Sequence, residues 1–272
     1  MMKDLGLTRN AAASPRMLHD LDSDLAVSNE PPGIEVEVPP NPRLVAMMER
    51  EGVGAEKFRV LAARLQYFRK QRQLKKVVIT STIKGEGKSV VSANLAVTLA
   101  RRQRTLLIDG DLRQSGLSEL LTTHGLPGIT DWWQETADVS EFLRRVNGFP
   151  LWYLPAGEAM GQPLEILQSQ RMSEMLTQVA EWFEWVIIDS PPLAPVADPN
   201  LWAMQADGTL LVVEQGKTPK KLLRKSLESI ENLKLIGVVM NGSQDADHQY
   251  YRQYYKSPAN SRASAGHERR LS

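Results

Sequence analysis

Val77-Val78-Ile79-Thr80-Ser81-Thr82-Ile83-Lys84-Gly85-Glu86-Gly87-Lys88-Ser89 joins a β-branched run to a glycine-containing loop, and the loop closes with Gly-Lys-Ser at the start of an amphipathic helix. The run reads as a buried strand. Gly85 and Gly87 let the backbone turn its N–H groups toward one point, and the helix that begins at Lys88 adds its free N–H groups and positive dipole end there. A loop of this kind cradles phosphate. Lys88 is placed to bridge the outer phosphates, and the Ser89 hydroxyl to take one position on a Mg²⁺ ion. The strict pattern is G-x-x-x-x-G-K-[ST]; Thr82 stands where its first glycine would be, which leaves the cradle of N–H groups intact.

Working outward, Val91, Leu95 and Leu99 follow Ser89 at helical spacing, and Arg101 and Arg102 suit the negative end of that helix. Thr105-Leu106-Leu107-Ile108-Asp109-Gly110-Asp111-Leu112-Arg113 reads as a second buried strand with carboxylates at its C-terminal end. Trp185-Val186-Ile187-Ile188-Asp189-Ser190-Pro191-Pro192 ends the same way. In a parallel sheet such ends lie side by side, where ligands bind. Further strands are expected within Leu151–Gly157, where the strand ends in a turn, and at Asp207–Glu214 and Leu235–Asn241. Helices are expected from Ala55 to Gln73, from Arg171 to Phe183, and from a Thr218-Pro219 cap to Leu233. Between Gly116 and Phe149 the pattern is loop and short helices, with Trp132 and Trp133 burying against the sheet. Strands alternating with helices predict an α/β fold with a doubly wound, mostly parallel sheet, a P-loop NTPase of the deviant Walker type.

The 272 residues suit one sizeable domain plus tails, with 42% hydrophobic and 24% charged residues, as in an ordinary soluble protein. A net charge of +1 offers no bulk field for nucleic acid, so no nucleic-acid partner is expected. Zero cysteines exclude disulfides, thiolate metal sites and cysteine nucleophiles. With no run of 18 apolar residues and no apolar core at the N-terminus, a cytoplasmic location is expected.

The expected organisation is a mostly flexible arm over 1–42, a P-loop domain over 43–245 and a flexible, tyrosine-containing tail over 246–272. Within the arm, Ile34-Glu35-Val36-Glu37-Val38 alternates apolar and acidic residues between two proline pairs. An edge strand and a solvated linker fit it equally. The basic run Arg69, Lys70, Arg72, Lys75 and Lys76 fits a solvated helix end better than a membrane or nucleic-acid patch. Near the C-terminus, Tyr250, Tyr251, Tyr254 and Tyr255 are four of the six tyrosines in the chain. Their i, i+1, i+4, i+5 spacing allows one helical face, but the polar surroundings fit a flexible phosphoacceptor tail at least as well.

Asp189, one position past its strand core, is placed for the outer shell of the metal ion. Asp109 and Asp111, two apart in extended chain, aim their carboxylates the same way, so that one can assist the metal while the other accepts a proton from an attacking hydroxyl or water. Arg113 is placed to fix either the phosphates or these aspartates.

Together these features resemble the bacterial tyrosine kinases of capsule and exopolysaccharide production, in their free-standing form, from about Glu56 to Tyr255. Members share a P-loop like Ser81 to Ser89, a hydrophobic run closing on Asp-x-Asp-x-Arg as at Leu106 to Arg113, a run closing on Asp-Ser/Thr-Pro as at Val186 to Pro191, and a terminal tyrosine cluster. The resemblance implies an ATP- and Mg²⁺-dependent tyrosine autokinase that regulates polysaccharide synthesis or export. By it, Thr82, Lys84, Gly85, Glu86, Gly87, Lys88, Ser89, Val90 and Arg113 contact the nucleotide. Ser89, Asp109 and Asp189 hold the metal, and Asp111 is the base, with the roles of Asp109 and Asp111 open to exchange. Neighbouring subunits of a homo-oligomer would phosphorylate Tyr250, Tyr251, Tyr254 and Tyr255 in trans. A membrane chain-length-determining protein, a polysaccharide co-polymerase, would be the activator and would recruit the enzyme to the inner face of the membrane.

The family's ring-forming Glu-x-x-Arg-x-x-Arg helix is only partly present: Glu56 and Arg59 fit, but Ala62 holds the third place and the next arginine is Arg64. Ile83 stands where partition and septum-site ATPases carry their signature lysine, one place from Lys84. Such an ATPase switch is the competing expectation, and a non-catalytic nucleotide-binding scaffold for a membrane partner is the third.

Overall fold

The computed structural model describes residues 31–49, 51–159, 163–194, 196–230 and 234–242. The expected flexible arm before residue 31 and the tyrosines at 250, 251, 254 and 255 lie outside the described residues.

Eight strands form one sheet: β1 (Ile34–Val36), β2 (Lys76–Ser81), β3 (Thr105–Asp109), β4 (Arg144–Val146), β5 (Leu151–Leu154), β6 (Trp185–Asp189), β7 (Gly208–Glu214) and β8 (Leu235–Asn241), in the order β1-β4-β5-β3-β6-β2-β7-β8. From β5 to β8 every pair is parallel. Among the described residues the one antiparallel pair is β4 with β5, and β1 runs parallel to β4. Side chains alternate faces along a strand, and the sequence uses the alternation. Val77, Ile79, Leu107 and Ile187 belong to one core layer, whereas Val78, Leu106, Ile108, Val186 and Ile188 belong to the other. The sheet is apolar on both faces because helices cover both.

On the first face lie α1 (Val45–Met48), α2 (Val53–Gln71) and α3 (Lys88–Ala100). The second layer takes in α5 (Ile129–Gln134), α6 (Pro163–Gln168), α7 (Gln170–Trp182) and α8 (Asp198–Gln205), with Trp152, Phe183 and Trp202 fully buried. The short α4 (Gly116–Leu121) packs on α3, and α9 (Lys220–Ile230) covers Leu211 and Val213 with Leu223 and Leu227. The helix α3, expected to be amphipathic, is buried at Val91, Ser92, Ala93, Asn94, Leu95, Ala96, Val97, Leu99 and Ala100. It has almost no wet face because α1, α2 and α4 wrap the sides that the sheet leaves open.

Local detail is added at three places. Of the two readings open for Ile34–Val38, the edge strand is the one formed: β1 takes Ile34–Val36, and its Ile34 opposes Arg144. The stretch between Gly116 and Phe149 carries the three-residue strand β4 in addition to helices and a 3-10 turn at Val139–Phe142. Trp132 is buried in the second layer, and Trp133 packs at its margin. The strand at Leu151 stops at Leu154; the carbonyls of Pro155 and Ala156 accept from Ile129 and Thr130 and so seat the start of α5. Among the described residues no helix is long and apolar enough to cross a membrane.

Candidate nucleotide and phosphotransfer site

The register of the three central strands builds the site. Asp109 lies opposite Asp189 across the β3–β6 ladder, and Asp189 lies opposite Ile79 of β2, whose strand feeds the phosphate loop. The C-terminal ends of β2, β3 and β6 thus meet the N-terminus of α3 at one edge. Gly85 and Gly87 hold φ of 87° and 88°, the left-handed region that side chains disfavour. At Gly87 a Cβ would sit 2.1 Å from the Asn241 amide nitrogen, so a side chain there would push that amide off the Glu86 carbonyl it donates to.

Lys88, only 8% exposed, has its ammonium 3.3 Å from Asp111 and 3.6 Å from Asp189. Asp189 accepts from Ser89 Oγ at 2.6 Å and from Ser92 Oγ at 2.9 Å. The hydroxyl expected on the metal is therefore already beside the carboxylate expected near it. Asp109 is turned the other way: it accepts from Ser115 Oγ, from Tyr153 Oη at 3.2 Å and from the Asp111 backbone N–H at 3.3 Å. Asp111 accepts from the Gln114 N–H at 3.0 Å, and Gln114 in turn accepts from Lys84 Nζ at 2.7 Å. The i, i+2 spacing thus does not send both aspartates to the same partner. Asp109 is fully buried, whereas Asp111 borders a groove of about 510 Å³ lined also by Lys84, Lys88, Ser89, Glu119 and His124.

Three carboxylates share one ammonium here. Burial pushes Asp109 up to about 7, reinforced by Asp189 and opposed by the Ser115 hydrogen bond. Burial also raises Asp189, against Lys88, Ser89 and Ser92. Burial works against the Lys88 ammonium, but Asp189, Asp111 and Asp109 outweigh it and raise it. A cluster with this excess of negative charge suits a cation, and its donors are all oxygens, as Mg²⁺ requires. Among the described residues no group of three or more His, Cys, Asp or Glu side chains could hold a metal alone. Mg²⁺ in nucleotide sites takes one or two carboxylates and completes its shell with phosphate and water oxygens, so Ser89 with Asp189 or Asp109 fits. The phosphate cradle fits as well: Thr82 Oγ1 is buried beneath the loop without a partner.

Two residues expected at the nucleotide have other employment. The Glu86 carboxylate is fully buried and accepts from Ile83 N–H at 2.8 Å, from Glu214 N–H at 3.3 Å and from the Thr218 hydroxyl. Its side chain is thus spent within the protein, and Thr218, expected to cap α9, gives its hydroxyl to Glu86 instead. The Arg113 guanidinium pairs with Asp198 through Nε at 2.9 Å and a terminal nitrogen at 3.3 Å, which raises it above its ordinary value. Thr82 is buried and Val90 half-buried, both within the loop and first turn. Glu56 pairs with Arg59 along α2, away from this edge.

Sequence reasoning missed Ser92, Tyr153, Asp198, Trp202 and Asn241. Asn241 donates to the Glu86 carbonyl at 2.9 Å and Lys217 to the Gly85 carbonyl at 2.8 Å, tying the loop to the ends of β8 and β7. Ser92 alone had a local signal, one helical turn after Ser89 on the face that meets β6.

Residues 77–259 match the model of the CobQ/CobB/MinD/ParA nucleotide binding domain. The chain is 33% identical over 214 residues to the tyrosine-protein kinase YwqD of Bacillus subtilis, covering 78% of this chain and 90% of YwqD. It is 37% identical over 171 residues to the succinoglycan biosynthesis transport protein ExoP of Rhizobium meliloti, covering 61% of this chain but 22% of ExoP. The crystal structure of the chimerical protein CapA2B2 superimposes with a TM-score of 0.72 at 26% identity, covering 83% of this chain and 99% of that one. Because the domain model spans more than half of the chain and the likeness to YwqD nearly all of that kinase, the chain belongs to the bacterial tyrosine kinases, within the MinD/ParA class of nucleotide-binding domains.

Proposed function

We propose that the chain is an ATP- and Mg²⁺-dependent protein-tyrosine kinase that phosphorylates Tyr250, Tyr251, Tyr254 and Tyr255 of a neighbouring copy and thereby regulates capsular or exopolysaccharide synthesis or export. The observation that carries this reading is the placement of Asp111: within 3.3 Å of Lys88, yet on the wall of an open groove rather than beneath the sheet edge. When bound, MgATP supplies the phosphoryl group and the ion neutralises charge on its outer oxygens. The loop N–H groups from Lys84 to Ser89 and the Lys88 ammonium bind and orient the phosphates; Ser89 and Asp189 would hold the ion, with Asp109, turned toward Ser115 and Tyr153, supporting it from behind. Asp111 takes the proton from the acceptor tyrosine hydroxyl as that oxygen bonds to the γ-phosphorus and the bond to the β-phosphate oxygen breaks. The likeness to ExoP, a succinoglycan biosynthesis transport protein, supports a polysaccharide role; the activator would be a membrane co-polymerase that recruits this chain from the cytoplasm to the membrane.

The test is incubation of the protein with ATP and Mg²⁺, with and without the cytoplasmic segment of such a co-polymerase, then mass spectrometry of the C-terminal peptide. Phosphate on the four tyrosines, absent from Lys88→Met, is the expected result. ATP hydrolysis that leaves the tyrosines bare under both conditions would instead favour the ATPase switch that the MinD/ParA likeness allows. A biological effect that survives Asp111→Asn after phosphotransfer is gone would favour a scaffold.

A further inference from the structure

Asp198 is a buried carboxylate, 1% exposed, at the first turn of α8, and it touches neither the phosphate loop nor the groove beside Asp111. Its partner is Arg113, two residues after Asp111, gripped through two of the guanidinium nitrogens. Four residues on, and so on the same face of α8, Trp202 is fully buried and its indole N–H donates to the Gly110 carbonyl at 2.9 Å. The Gly110 N–H is itself held by the Asp189 carbonyl at 2.8 Å. No slack remains around that peptide. A Cβ on Gly110 would meet the Asp189 carbonyl oxygen and the Trp202 ring at 2.9 Å each.

The segment Asp109-Gly110-Asp111-Leu112-Arg113 is therefore fastened on both sides of Asp111 by a single short helix. The fastening works through orientation and not through contact. Arg113, expected at the phosphates or the aspartates, has its planar fork spent on Asp198. A paired fork fixes direction as well as distance, which an ammonium would not do.

We propose that Asp198 and Trp202 are positioning residues for phosphotransfer, holding Asp111 in the orientation its proton transfer needs by anchoring Arg113 and Gly110. The inference rests on the kinase reading of the site. It assigns α8 a role in the chemical step and none in nucleotide binding, because Asp198 and Trp202 spend their hydrogen bonds on Arg113 and Gly110 and neither lines the groove beside Asp111. Misplacing a catalytic group by about 1 Å can cost roughly 100-fold in rate.

The test compares full-length wild type, Asp198→Asn, Arg113→Gln, their double variant and Trp202→Phe, with the activating segment present. It measures kcat and KM for tyrosine phosphorylation together with the Kd for MgADP. Asp198→Asn is expected to lower kcat roughly 10- to 100-fold, leaving KM for ATP and the Kd within about twofold of wild type. The double variant is expected to be no slower than the slower single, since both remove one anchor. Trp202→Phe, which keeps the ring and loses only the donor to Gly110, should lower kcat several-fold, again without moving the Kd. It carries the test if Asp198→Asn does not fold. An unchanged kcat in these variants overturns the inference. So does a rise in KM and Kd that matches the fall in kcat, or additive losses in the double variant. Wild type that transfers no phosphate to tyrosine overturns the kinase reading itself and the inference with it.

Discussion

Replacing Glu86 by alanine should unfold the loop's foundation rather than strip a ligand contact. The carboxylate is fully buried and collects three donors: the Ile83 and Glu214 N–H groups and the Thr218 hydroxyl. The hydroxyl can turn to another acceptor, but the two amides cannot, and a buried donor without a partner costs about 1–3 kcal/mol. With the small void added, a loss of about 3–5 kcal/mol follows. In a chain of this size each kcal/mol lowers the melting temperature by about 2–4 °C, so the drop should be on the order of 10 °C. Thermal unfolding followed by near-UV circular dichroism, with isothermal titration of MgADP alongside, reads both consequences. The expected outcome is a large fall in melting temperature accompanied by weaker nucleotide binding, because the loop loses its buried tie to β7 and keeps only the exposed Lys217 one. A variant that melts within about 2 °C of wild type but no longer binds nucleotide would refute this reasoning and return the side chain to the ligand.

Gly87→Ala should weaken MgADP binding by at least tenfold: its φ of 88° strains any side chain and its Cβ would lie 2.1 Å from Asn241 Nδ2. Adding Asn241→Ala relieves the clash but not the strain, so titration of the double variant should show recovery that is incomplete. Asp138 is held below its ordinary 3.8 by hydrogen bonds from Ser140 and Gln178. A depressed carboxylate stabilises the fold above its unfolded value and loses that contribution as pH falls through its folded one. The difference in melting temperature between wild type and Asp138→Asn should therefore be constant near neutral pH and shrink as the solution is acidified past 3.8; a gap that widens there would contradict the assignment. Removing Mg²⁺ with EDTA should abolish tyrosine phosphorylation while leaving the melting temperature of the protein alone almost unchanged, which differential scanning calorimetry can check.

The part of the site that sequence exposes is the part that local pattern governs. Lys88 and Ser89 follow a strand and open a helix, and Asp109, Asp111 and Asp189 close two apolar runs. In a parallel sheet that position alone brings them to one edge. The same patterning announces the two-faced core, since Val77 and Ile79 must face away from Val78. Where periodicity is brief, it falls short: β1 and β4 are three residues each, and no window that short separates a strand from a linker. Five alternating residues between prolines do not separate strand from linker at Ile34–Val38; the pairing of Ile34 with Arg144 does.

Sequence by itself determined the kind of fold, the phosphate loop and which acids crowd around it, because those depend on strand ends and a helix start. Tertiary structure alone decided what each acid does. Asp109 and Asp111 are two residues apart, yet one is buried against Ser115 and Tyr153 while the other meets Lys88 at a groove. Glu86 and Arg113 sit inside recognisable motifs, but their partners Thr218 and Asp198 are 132 and 85 residues away along the chain. A side chain with several possible partners goes to the one that packing places within reach, and that distance is a property of the folded sheet and not of the spacing along it.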